Sequence, residues 1–228
     1  MCAQRYHKRF RTHQIFTHFT TYIMKIETVS VDSVMIYMGI IISEEVLDKV
    51  QNTYTRLKSL EHVVDLTPSY TSILLQYDIF YYDSVSIKNA IINHLSKGDG
   101  KYEMHRGKLI KIPVDYTQGL DLQSVADFHN ISSQELIDKH TQPIYRVYAI
   151  GFLVGFAYLG IVDGSIKTPR LETPRTKVPK GSVGIAESQT AVYPEESAGG
   201  WNILGITEFD DFHLFEVGDS VRFTDARI

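Results

Sequence analysis

The sequence predicts an α+β protein with two domains, a small α/β sandwich followed by a β-barrel. Strand patterns alternate with two amphipathic helical patterns up to residue 97, whereas helical patterns are absent after Tyr145. Glycine usage divides in the same way, since three of the fifteen glycines precede residue 101 and ten lie between Gly151 and Gly218. We therefore predict a boundary near residue 105, with domains at 24–105 and 106–228.

The first domain is predicted to have the element order ββαββα. KIETVSVDSVMIYMG contains two strand patterns around a turn at Asp32 and Ser33, and VVDLTPSYTSILLQYD contains a second strand pair. Ser43 is placed to cap a helix over SEEVLDKVQNTYTRLKSL, and SIKNAIINHLSKGDGK repeats apolar residues at helical spacing. This order predicts helices on one face of a mostly antiparallel sheet.

The second domain begins with a strand pattern in KLIKIPVDY and a helical passage. LDLQSVADFHN and ISSQELIDKH are predicted helices, and Ser132 and Glu135 have the spacing of a capping box. Short strand patterns separated by Gly, Pro and Ser turns follow: YRVYAI, SVGIA, TAVYP, WNILGIT and DSVRFT. Such a series is typical of a closed or nearly closed β-barrel.

Residues 1–23 differ from the rest of the chain. They carry four Arg or Lys and three His, and no acidic residue occurs before Glu27. There is no apolar core followed by small residues, as a secretory signal would have. We interpret these residues as a basic disordered extension, upstream of the true start if translation begins at Met24, where MKIETVSV resembles a first strand.

Composition excludes several classes of function. A net charge of -4 and a pI near 6.1 give no reason to expect a nucleic acid partner. No apolar run reaches the roughly 18 residues that span a bilayer. Cys2 is the only cysteine, and the histidines of the extension lack ligand spacing, so we expect neither disulfides nor a metal site. A cytoplasmic protein without membrane contact is the simplest expectation.

Familiar catalytic motifs are missing from the sequence. GDGK at residues 98–101 is too short for a phosphate-binding loop, GSVG at 181–184 lacks the spacing of a nucleophile elbow, and His-Glu-x-x-His does not occur. A self-contained active site is therefore not expected.

The candidate site residues lie between His140 and Trp201. TPRLETPRTKVPKG contains three prolines, which cannot donate to a β-ladder, so this segment should run irregularly over the barrel. It could present Arg170 and Arg175 to a carboxylate or phosphate. The alternative is that both arginines form surface or subunit salt bridges.

Three further candidates surround the Gly199-Gly200 pair, at which backbone can approach a ligand closely. Gln189, Tyr193 and Trp201 could line a pocket, although a hairpin with a core tryptophan explains them as well. His140 ends a predicted helix, so a capping or core role competes with a catalytic one.

Several long motifs, in order, resemble one family. YRVYAIGFLVGFAYLG, TPRLETPRTKVPKGSVGIAESQTAVYP and SAGGWNILGIT are similar to the B subunit of prokaryotic ATP-dependent 5-oxoprolinase. The same family is known as allophanate hydrolase subunit 1 or carboxyltransferase subdomain B, and it includes the Kip-type inhibitor of a histidine kinase. The resemblance extends from about Met24 to Thr224.

The resemblance implies a cyclophilin-like β-barrel as the C-terminal domain. It also implies a complex with the A and C subunits of 5-oxoprolinase that opens the lactam of 5-oxo-L-proline to L-glutamate while hydrolysing ATP. In that interpretation Arg170, Arg175 and His140 are the catalytic candidates. Phe152 and Phe156 join Gln189, Tyr193 and Trp201 as substrate-binding candidates. A binding-type inhibitor of a histidine kinase and subunit 1 of an allophanate hydrolase remain as alternatives.

The chain also departs from the family pattern at positions that shape turns. Val154 and Ala157 stand where the family has prolines, and Ala198 replaces the proline of SPGGW. Glu187 and Ala191 occupy positions at which the family tends to have glycine. Because of these changes, the family pattern alone does not determine the substrate or the turn geometry of this chain.

Overall fold

The computed structural model describes residues 24–97 and 107–227. The predicted basic extension, the GDGK segment and the predicted boundary near residue 105 lie outside the described residues. The first described segment contains four strands and two helices, in the predicted order: β1 (Lys25–Thr28), β2 (Ser33–Tyr37), α1 (Glu44–Leu57), β3 (Val63–Ser69), β4 (Ser72–Tyr77) and α2 (Ser86–Ser96).

The N-terminal sheet is antiparallel throughout, with strand order β1-β2-β4-β3. Its inward side chains, such as Ile36 and Leu75, are fully buried together with residues of both helices. Helix α1 begins where predicted, because the Ser43 hydroxyl accepts a 3.3 Å hydrogen bond from the backbone N–H of Val46. The helix buries Leu47 and Val50 on one face, which holds it on the sheet.

The second described segment contains nine strands and two α-helices. They are β5 (Leu109–Val114), α3 (Leu122–Phe128), α4 (Ser133–Thr141), β6 (Tyr145–Ile150), β7 (Ala157–Gly160), β8 (Arg175–Val178), β9 (Ser182–Ala186), β10 (Gln189–Val192), β11 (Ser197–Gly199), β12 (Asn202–Ile206) and β13 (Ser220–Asp225). Helix α4 has the predicted cap, since the Ser132 hydroxyl accepts from the Glu135 N–H at 3.1 Å.

Seven of these strands form one sheet in the order β12-β9-β10-β7-β6-β13-β5. Its two edges meet where Asp115 and Ile206 exchange backbone hydrogen bonds of 2.8 and 3.0 Å, so the sheet is nearly closed. The predicted α+β class, a small α/β domain followed by a barrel, is confirmed. Within the described segments, no helix has both the length and the apolarity to cross a bilayer.

The TPRLETPRTKVPKG segment differs in part from the prediction of an irregular path. Strand β8 lies in its second half and pairs with β11 in a two-stranded sheet outside the barrel sheet. Pro174 and Pro179 flank this strand without interrupting it, so their missing N–H groups cost no ladder bonds.

The two domains touch through polar contacts on α1. The Arg146 guanidinium on β6 lies 3.3 Å from the Asp48 carboxylate and 3.0 Å from the Gln51 side-chain oxygen. The Gln51 amide also donates a 2.7 Å hydrogen bond to the Val217 carbonyl. These contacts join the N-terminal helix to the barrel.

Glu187, in the turn between β9 and β10, has a φ of +51°. A side chain in this left-handed region costs about 1 kcal/mol relative to glycine, the residue that the resembling family tends to have here. We expect Glu187→Gly to raise the free energy of unfolding by about 1 kcal/mol, measured by urea titration. The exposed Glu195 lies outside the left-handed region, so Glu195→Gly should give no gain; equal effects of the two substitutions would contradict the strain argument.

Candidate functional site

A cavity of about 240 Å³ lies on the outer wall of the barrel, beside the two-stranded sheet. Four of the predicted substrate-binding residues and one predicted catalytic residue line it: Phe152, Phe156, Tyr193, Trp201 and Arg170. Tyr158, Pro174 and the 198–200 segment complete the wall. We name this space the aromatic cavity.

Strand alternation explains why these side chains face outward. Along β10, Val192 packs into the barrel core, whereas Ala191 and the following Tyr193 pack into a separate outer cluster with Trp201. Gly199 on β11 crosses the Tyr193 hydroxyl so closely that a Cβ at this position would overlap it. Gly199 therefore allows the two-stranded sheet to close on the cavity wall.

Phe156 is the centre of the aromatic wall. Its ring centroid lies 4.9 Å from that of Tyr158, 5.3 Å from Tyr193, 5.4 Å from Phe152 and 5.8 Å from Trp201, and each pair has an edge-to-face orientation. Phe156 is buried, whereas Phe152 is 61% exposed. Phe152 thus stands at the mouth of the cavity.

Arg170 is the cation of this site. Its guanidinium carbon lies 5.8 Å from the Trp201 ring centroid, within the range of a cation–π contact. Across the described residues, no carboxylate forms a salt bridge with it. Burial raises the pKa of the Tyr193 hydroxyl, while a hydrogen bond from the backbone N–H of Trp201 and the charge of Arg170 act in the opposite direction. An anion entering the cavity would therefore meet a guanidinium that no described carboxylate neutralises.

Arg175 has a different role in the structure. Its guanidinium forms a 2.7 Å ion pair with Asp121, whose side chain is 9% exposed. The other oxygen of Asp121 accepts a 2.7 Å hydrogen bond from the Ile203 N–H. Arg175 thus forms a salt bridge, but within the chain and with a buried carboxylate, unlike the surface or subunit salt bridge of the alternative interpretation. Arg175 does not line the aromatic cavity.

His140 lies in the barrel core and is fully buried. Its Nδ1 is 2.7 Å from the Tyr116 hydroxyl and its Nε2 is 2.9 Å from the Thr190 hydroxyl. Desolvation lowers the pKa of His140 to about 3, so the ring is neutral at physiological pH. The predicted catalytic role of His140 finds no support in these surroundings, because a buried ring with both nitrogens bonded cannot exchange protons with a cavity ligand.

Gln189 lies at the start of β10 and, among the described residues, is not part of the cavity lining. Its amide nitrogen and oxygen are 3.0 and 3.3 Å from the hydroxyl of Tyr70, a residue of the N-terminal domain. Sequence reasoning missed Tyr70, and it missed Tyr158 in the cavity wall. The only sequence signal for Tyr158 was its place in the motif GFLVGFAYLG. The only signal for Tyr70 was its position in a turn between two strand patterns.

The arrangement can bind a small ligand that combines a flat ring with a negative group. Aromatic faces accept the ring, and a guanidinium binds a carboxylate or phosphate by two parallel hydrogen bonds. Within residues 24–97 and 107–227, no cluster of three His, Cys, Asp or Glu is arranged to hold a metal ion.

Comparison with protein families gives a match over residues 24–218 to the carboxyltransferase domain, subdomain C and D. A protein of Haemophilus influenzae named as a 5-oxoprolinase B subunit is 46% identical over 127 residues, which cover 52% of this chain and 60% of that protein. A Bacillus subtilis protein of the same name is 34% identical over 220 residues, covering 87% of this chain and 91% of that protein.

Solved structures share the fold. The crystal structure of TTHA0988 aligns with a TM-score of 0.74 at 30% identity, over 86% of this chain and 40% of that one. Kluyveromyces lactis urea carboxylase aligns with a TM-score of 0.67 at 13% identity, over 89% of this chain and 22% of that one. This chain thus spans less than half of either protein. Because the family match covers most of the chain and the Bacillus relative aligns along nearly all of it, the chain belongs to the carboxyltransferase domain, subdomain C and D, family that includes these 5-oxoprolinase B subunits.

Proposed function

We propose that this chain is the B subunit of an ATP-dependent 5-oxoprolinase and is active only together with the A and C subunits. The complex opens the lactam of 5-oxo-L-proline to L-glutamate and hydrolyses ATP. The names of the relatives support this proposal, and so does the chemistry of the aromatic cavity. We place the complex in the cytoplasm, where ATP is available.

The guanidinium of Arg170 over Trp201, without a salt bridge to any described carboxylate, carries the proposal. 5-Oxo-L-proline has one flat five-membered ring and one carboxylate, which match an aromatic wall and a single cation. The cavity volume of about 240 Å³ lies below the roughly 300–1,000 Å³ typical of pockets for drug-sized ligands. The volume favours the lactam over a nucleotide as the occupant, so ATP is left to another part of the complex.

The need for ATP follows from the stability of the lactam. An amide is a poor electrophile, and transfer of the γ-phosphoryl group to its oxygen supplies a leaving group before water attacks the ring carbon. The ring C–N bond then breaks and leaves the acyl phosphate of glutamate, and a second water hydrolyses this acyl phosphate to L-glutamate and phosphate. In this scheme Arg170 binds the carboxylate or the developing negative charge through charge-assisted hydrogen bonds.

Co-expression with candidate A and C subunits tests the proposal directly. We expect 5-oxo-L-proline-dependent ATP hydrolysis from the assembled complex, and none when this chain is omitted. An assembled complex without this activity would contradict the proposal and leave a binding-type inhibitor as the better interpretation.

Replacing Arg170 should reduce turnover without disturbing assembly. We expect Arg170→Ala to lower kcat/KM for 5-oxo-L-proline at least about tenfold, because the charge-assisted hydrogen bonds to the carboxylate are lost. Lys167→Ala removes an exposed cation from the same loop outside the cavity lining and should leave kcat/KM within twofold. Equal kinetics for Arg170→Ala and the unmodified complex would remove Arg170 from the site.

A further inference from the structure

Tyr70 connects the N-terminal domain to a residue in the wall of the aromatic cavity, Tyr158. It lies in the tight turn between β3 and β4, and its backbone N–H donates a 2.9 Å hydrogen bond to the Tyr148 carbonyl on β6. The two tyrosine rings are nearly parallel, with centroids 6.3 Å apart. The turn of one domain is therefore fixed on a strand of the other.

The hydroxyl of Tyr70 makes a second contact with the barrel domain, at Gln189 on β10. It lies within 3.0 Å of the Gln189 amide nitrogen and 3.3 Å of the amide oxygen, so both polar atoms of that amide face the same hydroxyl. Gln189 opens the strand that leads to Tyr193 in the cavity wall. The hydrogen bonds to Tyr70 therefore hold the first residue of β10 in place.

The ring of Tyr70 supports the cavity wall from behind. Its centroid lies 6.1 Å from that of Tyr158, which lines the cavity and lies 6.0 Å from the Trp201 ring. Burial raises the pKa of the Tyr70 hydroxyl, while the Gln189 hydrogen bond and the charge of Arg170 oppose this. The hydroxyl is thus protonated at neutral pH, able to donate, and within the electrostatic reach of the cavity's cation.

We propose that Tyr70 is a positioning residue, which holds Tyr158 and Gln189 so that the cavity offers a fixed aromatic wall beside Arg170 to a small cyclic carboxylate. The site is then built by both domains, although its lining comes from the barrel domain. The identity of the carboxylate as 5-oxo-L-proline rests on the proposed function.

Steady-state kinetics of the assembled complex test this role. Tyr70→Phe keeps the ring and removes the hydroxyl, and we expect it to raise KM for 5-oxo-L-proline about fivefold while kcat stays within twofold. Gln51→Ala is the matched control, because it removes two other hydrogen bonds between the domains, to Arg146 and Val217, away from the cavity. An unchanged KM in Tyr70→Phe, or an equal rise in Gln51→Ala, would overturn the proposal.

A second measurement is independent of catalysis. Trp201 is the only tryptophan of the chain and is 4% exposed, so its fluorescence reports on the cavity wall alone. In the full chain, Tyr70→Ala should about double the quenching of Trp201 by acrylamide, whereas Gln51→Ala should not change it. Unchanged quenching in Tyr70→Ala would refute the supporting role, even if the complex proved to have no 5-oxoprolinase activity.

Discussion

Arg175→Met should lower the free energy of unfolding by about 3 kcal/mol. The substitution keeps most of the length of the side chain but removes the charge that pairs with Asp121 at 2.7 Å. Asp121 is almost fully buried, and its remaining partner is the Ile203 N–H. Removing one member of such a pair leaves an uncompensated charge, which typically costs about 3–5 kcal/mol when both members are buried, and Arg175 is partly exposed. Urea titration followed by circular dichroism measures the loss.

The control for this prediction lies on the same strand. Lys177 on β8 pairs with Glu196 at 3.0 Å, but both side chains are more than half exposed. Such pairs contribute little, so Lys177→Met should change the free energy of unfolding by less than about 0.5 kcal/mol. If Arg175→Met proved as stable as the unmodified chain, the Asp121 carboxylate would not depend on its ion pair.

Acidification from pH 7 to pH 5 should cost the chain about 2 kcal/mol of unfolding free energy through His140 alone. The pKa of His140 is about 3 in the folded chain and near 6.5 when unfolded, so only the unfolded state takes up the proton between these values. Its contribution to stability is complete above pH 6.5 and falls by about 1.4 kcal/mol per pH unit below it.

Urea titrations of His140→Gln at both pH values isolate this effect. The variant should lose about 2 kcal/mol less than the unmodified chain between pH 7 and pH 5, because it has no group at this position to titrate. His213 is exposed, and His213→Gln should keep the pH dependence of the unmodified chain. The same pH dependence in His140→Gln and the unmodified chain would show that His140 is protonated in the folded state.

Local patterns predicted most of the fold. Helix α1, the cap at Ser132 and strand β6 occupy the residues that periodicity and capping chemistry indicated. The two-stranded sheet was missed because β8 is short and stands between prolines, where a propensity argument predicts irregular chain. Its pairing with β11 is a tertiary contact that no local pattern contains.

The site was predicted less completely, for a related reason. Arg170 and Arg175 share the same Thr-Pro-Arg context, so the sequence cannot separate them. Their roles differ because Asp121, distant in the chain, lies beside one of them and Trp201 beside the other. Tyr70 was missed because its contact with the barrel depends on how the domains meet.

The two faces of the barrel wall separate ligand recognition from core packing. Side chains alternate along β9 and β10 between the barrel core and the outer cluster that contains Phe156 and Trp201. A substitution on the outer face can therefore alter what is recognised while the closed sheet keeps its own packing. Ala191 and Ala198, two departures from the family pattern, lie on this outer side. Substitutions on this outer face can thus change ligand binding without destabilising the barrel core.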